Sequence, residues 1–380
     1  MEFVLEKSDT ETKARAGLLK TVHGNVPSPV FMPVGTQGTV KGISPHELAE
    51  AGVKMVLANT YHLVLRPGDD LIRKAGGLHD FMGWAFPILT DSGGYQVFSL
   101  SSLRKITDDG VRFQSHIDGS THVFTPENVM DVQHRFGSDV MMVLDECSPY
   151  PCSPDQAENA VRRTLLWAER SIRRHREIEG PGGQALFGIV QGSTYADLRR
   201  QCMARLMDMP FDGYAVGGLA VGEPKSVLLD ITSLCTDMLP KNKPRYLMGV
   251  GKPEDLVDAI ALGVDLFDCV IPTRNARNGT VYTRRGKLIV KNHVHQDDFS
   301  PIDASCSCYT CRHFTRAYLR HLFQAGEILG PRLTTLHNIR FFMELVEEAR
   351  KAVLENRFPL WKNEFFNVYY NQNDPMQQGG

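Results

Sequence analysis

Four residues in the last quarter of the chain have the types and spacing of a metal site. They are three closely spaced cysteines and one later histidine, Cys306, Cys308, Cys311 and His337. Three thiolates and one imidazole complete a tetrahedral shell around Zn²⁺ and leave no open position, so the zinc would be structural. His313 and His321 are nearer candidates for the fourth ligand. We favour His337 because residues 334–338 have the pattern of a first helical turn, and that helix can fold back over the cysteines.

Three aspartates could perform acid–base or nucleophilic chemistry. Asp91, Asp145 and Asp268 each follow a short apolar run, and Gln191 and the pair Gly217-Gly218 occupy equivalent places. A single aspartate in such a place is often only a helix cap or a turn residue. Polar and glycine residues recur after many of these apolar runs. This recurrence predicts one site that binds a flat polar ligand and acts on it through carboxylate chemistry.

These residues need a fold that brings the ends of many strands together. Helix signals such as Ser44-Pro45 and Ser153-Pro154 alternate along the chain with short runs of β-branched or large apolar residues. There are eight such runs, at residues 30–34, 54–57, 87–89, 139–144, 185–190, 213–216, 245–248 and 264–267. Continuous apolar strands alternating with helices predict a parallel sheet, and eight units predict an α/β fold, the (β/α)8 TIM barrel. Chemistry in that barrel lies at the carboxyl ends of the strands.

Composition narrows the classes of function. The chain has 380 residues, 42% of them hydrophobic, with 42 Lys or Arg against 44 Asp or Glu. The opening residues lack a signal-peptide pattern, and no run of 18 apolar residues occurs. We therefore expect a cytoplasmic protein with no membrane partner.

The net charge of the whole chain is near zero, but one stretch carries a local excess of positive charge. Residues 271–320 carry nine Lys or Arg against three Asp. A solvated charged surface would have the same composition. The alternative, contact with nucleic-acid phosphates, would involve Arg274, Arg277, Arg284, Arg285 and Lys287.

Longer motifs carry a resemblance to a known family, the tRNA-guanine transglycosylases, and within it to the bacterial branch. The motifs are FMPVGT at 31–36, NTYHL at 59–63, LTDSGGYQ at 89–96, GYAVGGL at 213–219 and FDCVIPTR at 267–274, together with the zinc spacing. The resemblance covers nearly the whole chain. It implies a pentosyltransferase, a type of glycosyltransferase, that acts in queuosine biosynthesis. Such enzymes exchange guanine at the anticodon wobble position of tRNA for a 7-deazaguanine base, through a covalent enzyme–ribose intermediate.

The resemblance also implies roles for individual residues. Asp268 would be the nucleophile and Asp91 the general acid/base, as in retaining glycoside transfer. The base itself would contact Asp145, Gln191, Gly218 and Leu219 at its polar edges, and Tyr95 and Met248 at its two faces. Glu223 would support the Leu219 peptide. Cys147 and Val221 match a small pocket, which predicts 7-aminomethyl-7-deazaguanine (preQ1) rather than the bulkier queuine as the incoming base.

Two other classes of function compete with this interpretation. A glycoside hydrolase also uses paired carboxylates on such a barrel, but it should carry an aromatic sugar platform and no basic zinc unit. A non-catalytic, zinc-containing RNA-binding subunit would lack the nucleophile, whereas this chain has both Asp91 and Asp268. The family resemblance further implies a homodimer that binds one tRNA.

We expect four segments along the chain. Residues 1–28 would form an N-terminal β segment that closes the bottom of the barrel, and residues 29–290 the catalytic barrel. Residues 291–370 would form the zinc-binding subdomain with the C-terminal helices. The last segment, 371–380, would be a disordered tail.

Overall fold

Eight parallel strands close into a barrel at the centre of the protein. The computed structural model describes residues 1–100, 103–178 and 183–370. The barrel strands are, in chain order, Val30–Gly35, Val56–Ala58, Ile88–Thr90, Val140–Met142, Ala185–Val190, Gly213–Val216, Arg245–Leu247 and Leu266–Cys269. The eighth strand pairs with the first, where Phe267 lies opposite Phe31. Each of the eight predicted runs overlaps one of these strands, so the predicted α/β barrel is confirmed.

Helices connect the barrel strands and cover them from outside, which explains why the strand sequences are continuously apolar. Ser44 and Ser153 cap two of these helices as predicted, since each accepts a hydrogen bond from the backbone N–H three residues on. The helices up to the end of the barrel are Pro45–Glu50, Thr60–Leu65, Asp69–Lys74, Leu78–Met82, Gly94–Leu100, Pro126–Phe136, Pro154–Glu177, Ala196–Met207, Lys225–Met238, Pro253–Ala261 and Ile271–Arg277.

The eighth barrel strand extends further than its apolar run predicts. Its last two residues, Asp268 and Cys269, pair with Met32 and Pro33 of the first strand and so take part in closing the barrel. Aspartate is disfavoured in strands, so the apolar run predicted a strand that ends two residues too early. The nucleophile candidate Asp268 is therefore fixed within a strand and does not lie on a flexible loop.

Two three-stranded antiparallel sheets accompany the barrel in the described part of the chain. The first consists of Glu2–Ser8, Arg15–Thr21 and Gly24–Ser28, and its Arg15 binds Asp265 just before the eighth barrel strand, at the amino-terminal end of the barrel. The second, Arg104–Thr107, Gly110–Gln114 and Thr121–Phe124, is inserted after the third barrel strand. The apolar runs did not predict this inserted sheet, because its short alternating strands do not resemble continuous barrel strands.

The chain after the barrel forms a second, smaller core. A hairpin of Thr280–Thr283 and Gly286–Ile289 and a short 3₁₀ turn, His293–His295, precede four helices, Tyr309–His313, Arg316–Gln324, Leu329–Leu354 and Phe358–Tyr370. Val281, Leu288, Leu319 and Leu333 pack there with Cys308 and Cys311. The predicted tail, 371–380, lies outside the described residues. No helix in the described part of the chain is both long and apolar enough to span a bilayer.

Candidate active site

A cleft of about 470 Å³ lies at the carboxyl ends of the barrel strands, where a TIM barrel carries its chemistry. The structure brings together most of the residues predicted for the site. Those that line the cleft are Asp91, Tyr95, Asp145, Cys147, Gln191, Gly218, Leu219, Val221, Met248, Asp268 and Arg274.

Asp91 directly follows the third barrel strand and is held by three donors. Its Oδ2 accepts hydrogen bonds from Asn59 Nδ2 at 2.5 Å and from Gln96 Nε2 at 2.8 Å, and its Oδ1 accepts from Thr60 N at 2.8 Å. Burial raises the pKa of Asp91 to about 6, although these bonds act in the opposite direction, and the negative charge of Asp268 adds to the rise. A carboxyl group with such a pKa can both donate and accept a proton near neutral pH.

Asp268 presents its two oxygens differently. Oδ1 accepts a hydrogen bond from the Tyr246 hydroxyl at 2.6 Å and from Gly249 N at 2.8 Å. Within the described part of the chain, no donor makes a hydrogen bond to Oδ2. Removal from bulk water raises the pKa of Asp268, while these two bonds lower it. The carboxylate is thus fixed by one oxygen and leaves the other available to a ligand in the cleft.

Asp145 and Gln191 form a polar pair just after the neighbouring fourth and fifth strands. Gln191 Nε2 donates to Asp145 Oδ2 at 2.7 Å, and Ser92 Oγ donates to Asp145 Oδ1 at 3.2 Å. Burial raises the pKa of Asp145 to about 6, and both bonds lower it. Gln191 Oε1 is buried and has no partner among the described residues. Buried polar atoms are rarely left in this state except where a site binds polar ligands.

The turn after the sixth strand presents backbone groups to the cleft. Gly218 has φ of 65°, and a Cβ atom there would lie 2.3 Å from Gln191 Oε1, so only glycine fits. Glu223 accepts hydrogen bonds from Ala220 N at 2.5 Å and Val221 N at 3.0 Å. The first bond fixes the peptide whose carbonyl belongs to Leu219. Glu223 does not line the cleft itself.

The four residues predicted to bind metal lie together beside the C-terminal helices. The sulphur and nitrogen atoms that would be ligands all lie within 4.8 Å of one another. His337 Nδ1 is 3.7, 3.6 and 3.2 Å from the sulphurs of Cys306, Cys308 and Cys311. The other ring nitrogen, Nε2, is 2.7 Å from the carbonyl oxygen of Tyr282, which fixes the orientation of the ring. This donor set can hold a metal ion.

Comparison with known proteins agrees with this arrangement of cleft and metal site. The sequence profile of the family described as queuine tRNA-ribosyltransferase matches residues 9–371. The chain belongs to this family. Queuine tRNA-ribosyltransferases from Thermoanaerobacter pseudethanolicus and Caldanaerobacter subterraneus are each 57% identical to it, over 97% of this chain and 98% of theirs. The queuine tRNA-ribosyltransferase of Natranaerobius thermophilus is 50% identical over 98% of this chain and its own full length.

The basic residues of this queuine tRNA-ribosyltransferase family member occupy different environments. Arg274 lines the cleft, Arg285 and Lys287 are exposed on the hairpin, and Arg277 is half-buried. Arg284 is bound instead in a two-armed ion pair with Glu348 of the helix Leu329–Leu354, with one contact of 2.6 Å. The structure therefore does not gather all five at one surface.

The sequence patterns indicated no role for several residues of the site. Asn59 and Gln96 bind Asp91, and Tyr246 binds Asp268. Asn59 follows the second strand, so its position alone could have indicated it. Arg199 lies beneath the cleft on the helix Ala196–Met207, where the sequence carries no signal of its role.

Proposed function

We propose that this protein is a tRNA-guanine transglycosylase that replaces guanine at the wobble position of tRNA by preQ1. The observation that carries the proposal is the arrangement of the cleft. Two carboxylates with different partners are presented at the carboxyl ends of the third and eighth strands, Asp91 and Asp268. The hydrogen-bonding pair Asp145 and Gln191 follows the fourth and fifth strands at the same rim. Membership of the queuine tRNA-ribosyltransferase family supports the same reaction.

In the first half of the proposed reaction, Oδ2 of Asp268 attacks the anomeric carbon of the ribose. The glycosidic bond to guanine breaks, and its electron pair leaves with the base. Asp91 donates a proton to the departing base, for which its raised pKa is suited. The ribose stays covalently attached to Asp268.

In the second half, preQ1 occupies the place of guanine. Asp91, now ionised, removes the proton from the ring nitrogen of preQ1 that attacks the anomeric carbon. The new glycosidic bond forms as the bond to Asp268 breaks, and the enzyme returns to its initial protonation state. Two displacements restore the original configuration at the sugar, as in retaining glycosidases.

The base would be recognised at both edges and both faces. Asp145 would accept hydrogen bonds from the ring N–H and the amino group, and the Leu219 carbonyl would also accept from the amino group. Gln191 and the Gly218 amide would donate to the base carbonyl. Tyr95 and Met248 line the cleft and would lie against the two faces of the ring.

We further propose that preQ1 is preferred over queuine, because Cys147 and Val221 line the cleft and match the small pocket of the bacterial branch. Supplying tRNA with each base separately and measuring the initial rate of incorporation would test this. Preferential incorporation of queuine would contradict it.

Zinc is the metal that we propose for the cluster of three cysteines and His337, because a closed set of thiolates and imidazole suits Zn²⁺. The ion would supply structural cross-linking of the second core and no catalysis.

We also propose the division into residues 1–28, 29–290 and 291–370, in which the hairpin at the end of the middle segment packs against the zinc-binding core. We further propose a cytoplasmic location and a homodimer that binds one tRNA. The proposed phosphate contacts are Arg274, Arg277, Arg285 and Lys287.

The function can be tested with a tRNA that carries guanine at the wobble position. We expect radiolabelled guanine, and then preQ1, to be incorporated while the RNA chain stays intact. A matched tRNA with adenine at that position should not react. Release of guanine that leaves an abasic tRNA would indicate a hydrolase, and binding without any exchange would indicate a non-catalytic subunit.

A further inference from the structure

A buried arginine lies directly beneath the base-binding side of the cleft. Arg199 is 0% exposed, and within the described residues no carboxylate forms an ion pair with it. Its guanidinium instead donates to four backbone carbonyl oxygens: Ser193 at 2.8 Å, Val190 at 2.8 Å, Gly217 at 2.7 Å and Gly218 at 3.4 Å. Burying an unpaired cation is unfavourable, so a role beyond filling space is expected of it.

These carbonyls belong to the two turns that present Gln191 and Gly218 to the cleft. Ser193 has φ of 48°, which is unfavourable for a residue with a side chain, and Arg199 Nε binds its carbonyl. The Val190 carbonyl accepts both from Arg199 and from Gly217 N, at 3.1 Å for the latter. The planar guanidinium group of Arg199 thereby links the carboxyl ends of the fifth and sixth strands.

The contact with Gly217 also affects the neighbouring amide electronically. The Gly217 carbonyl and the Gly218 N–H are parts of the same peptide group. A cationic donor on that carbonyl withdraws electron density from the peptide and makes its N–H a stronger donor. Gly218 lines the cleft, and its N–H makes no hydrogen bond to another described residue, so this amide is available to a ligand.

We propose that Arg199 is a positioning residue for base recognition, which fixes the turns of Gln191 and Gly218 and strengthens the Gly218 amide as a donor to the carbonyl of the base. The inference rests on the proposed function. It extends that function to a residue that does not touch the substrate. Arginine is required because its five donors lie in one plane, whereas the single nitrogen of lysine cannot bind four carbonyls in two turns.

A pair of ligands that differ at one atom separates this role from a merely structural one. Guanine and 6-thioguanine share the ring N–H and the amino group, but sulphur is the weaker acceptor at position 6. We expect the wild-type protein to bind guanine more tightly, as measured by inhibition of preQ1 incorporation. In Arg199→Met the inhibition constant of 6-thioguanine divided by that of guanine should fall by about fivefold, which corresponds to the free energy of one hydrogen bond.

If Arg199→Met does not fold, Arg199→Gln and Arg199→Lys provide the same test. Both should also lower the ratio of the 6-thioguanine inhibition constant to the guanine inhibition constant. Arg200→Met is the matched control, because Arg200 is exposed on the same helix and pairs with Asp197 on the surface. The KM for tRNA should change less than the KM for the base. An unchanged ratio in folded Arg199 variants would overturn the proposal, whereas a wild-type protein that exchanges no base would refute the proposed function itself.

Discussion

The hydroxyl group of Tyr246 donates a 2.6 Å hydrogen bond to Oδ1 of Asp268. Tyr246 belongs to the seventh barrel strand and Asp268 to the eighth, so the pairing of the two strands sets this contact. Tyr246 is 1% exposed, and burial raises the pKa of its hydroxyl far above the ordinary value. The hydroxyl group therefore stays protonated near neutral pH, where it donates to Oδ1 and keeps that oxygen fixed while Oδ2 reacts.

Removing this donor should slow catalysis. In Tyr246→Phe the carboxylate of Asp268 loses a hydrogen bond to a charged group, which we expect to lower kcat by about tenfold to a hundredfold. The same loss should raise the pKa of Asp268 and move the acid side of the pH profile upward. Tyr214→Phe is the control, because Tyr214 is a buried tyrosine of the adjacent sixth strand. Equal rates for both variants would show that the contact is unimportant.

Activity should decline in mildly acidic solution. Asp268 must be ionised to attack, and Asp145 must be ionised to accept from the base. Since burial raises the pKa of Asp145 to about 6, this group takes up a proton as the pH falls through that value. Burial also raises the pKa of Asp268, which acts in the same direction. We expect kcat/KM for the base to decrease below about pH 6. A profile that stays flat to pH 4.5 would be incompatible with the raised pKa values.

Loss of the metal should affect folding more than chemistry. Cys308→Ser removes one thiolate from a buried cluster, so we expect less than one zinc per chain by elemental analysis and a lower melting temperature. Any protein that stays folded should keep its catalytic carboxylates in place. Cys152→Ser, which changes a half-buried cysteine outside the cluster, should keep the full zinc content. A stable, zinc-free Cys308→Ser protein with full activity would contradict a structural role for the metal.

The basic residues should separate into two groups when they are replaced. Lys287→Ala removes an exposed charge, so tRNA binding should weaken and the slope of log affinity against log salt should fall by about 1. Arg284→Ala should leave that slope unchanged and reduce the free energy of unfolding by about 1 kcal/mol, because Arg284 pairs with Glu348. The same salt slope for the two variants would refute this assignment.

The sequence predicts the parts of this protein that depend on local pattern. Continuous apolar runs predicted the eight barrel strands, and spacing predicted the cluster of Cys306, Cys308, Cys311 and His337. Asp91, Asp145 and Gln191 could be found as well, because the carboxyl ends of the strands in a barrel meet at one rim. Their roles came only from the resemblance to a family.

The features that the sequence did not predict depend mainly on contacts between segments that are distant along the chain. The contacts of Asn59 with Asp91 and of Tyr246 with Asp268 are set by which strands become neighbours when the barrel closes. Arg199 has an ordinary helical sequence around it, and only the structure reveals that four carbonyls surround it. Arg284 could not be distinguished from Lys287 by composition, because its partner Glu348 lies in a helix much later in the chain.

The identity of the nucleophile can be measured directly by trapping the intermediate. A stem-loop RNA with a wobble guanine is incubated with the protein, quenched with denaturant and resolved on a denaturing gel, and the modified residue is mapped by mass spectrometry. Asp297→Asn, an exposed aspartate in the basic stretch, serves as the control and should still form the adduct. We expect the wild-type adduct to map to Asp268, and folded Asp268→Asn to form none and to exchange no guanine. An adduct on Asp91, or one that persists in Asp268→Asn, would contradict the mechanism.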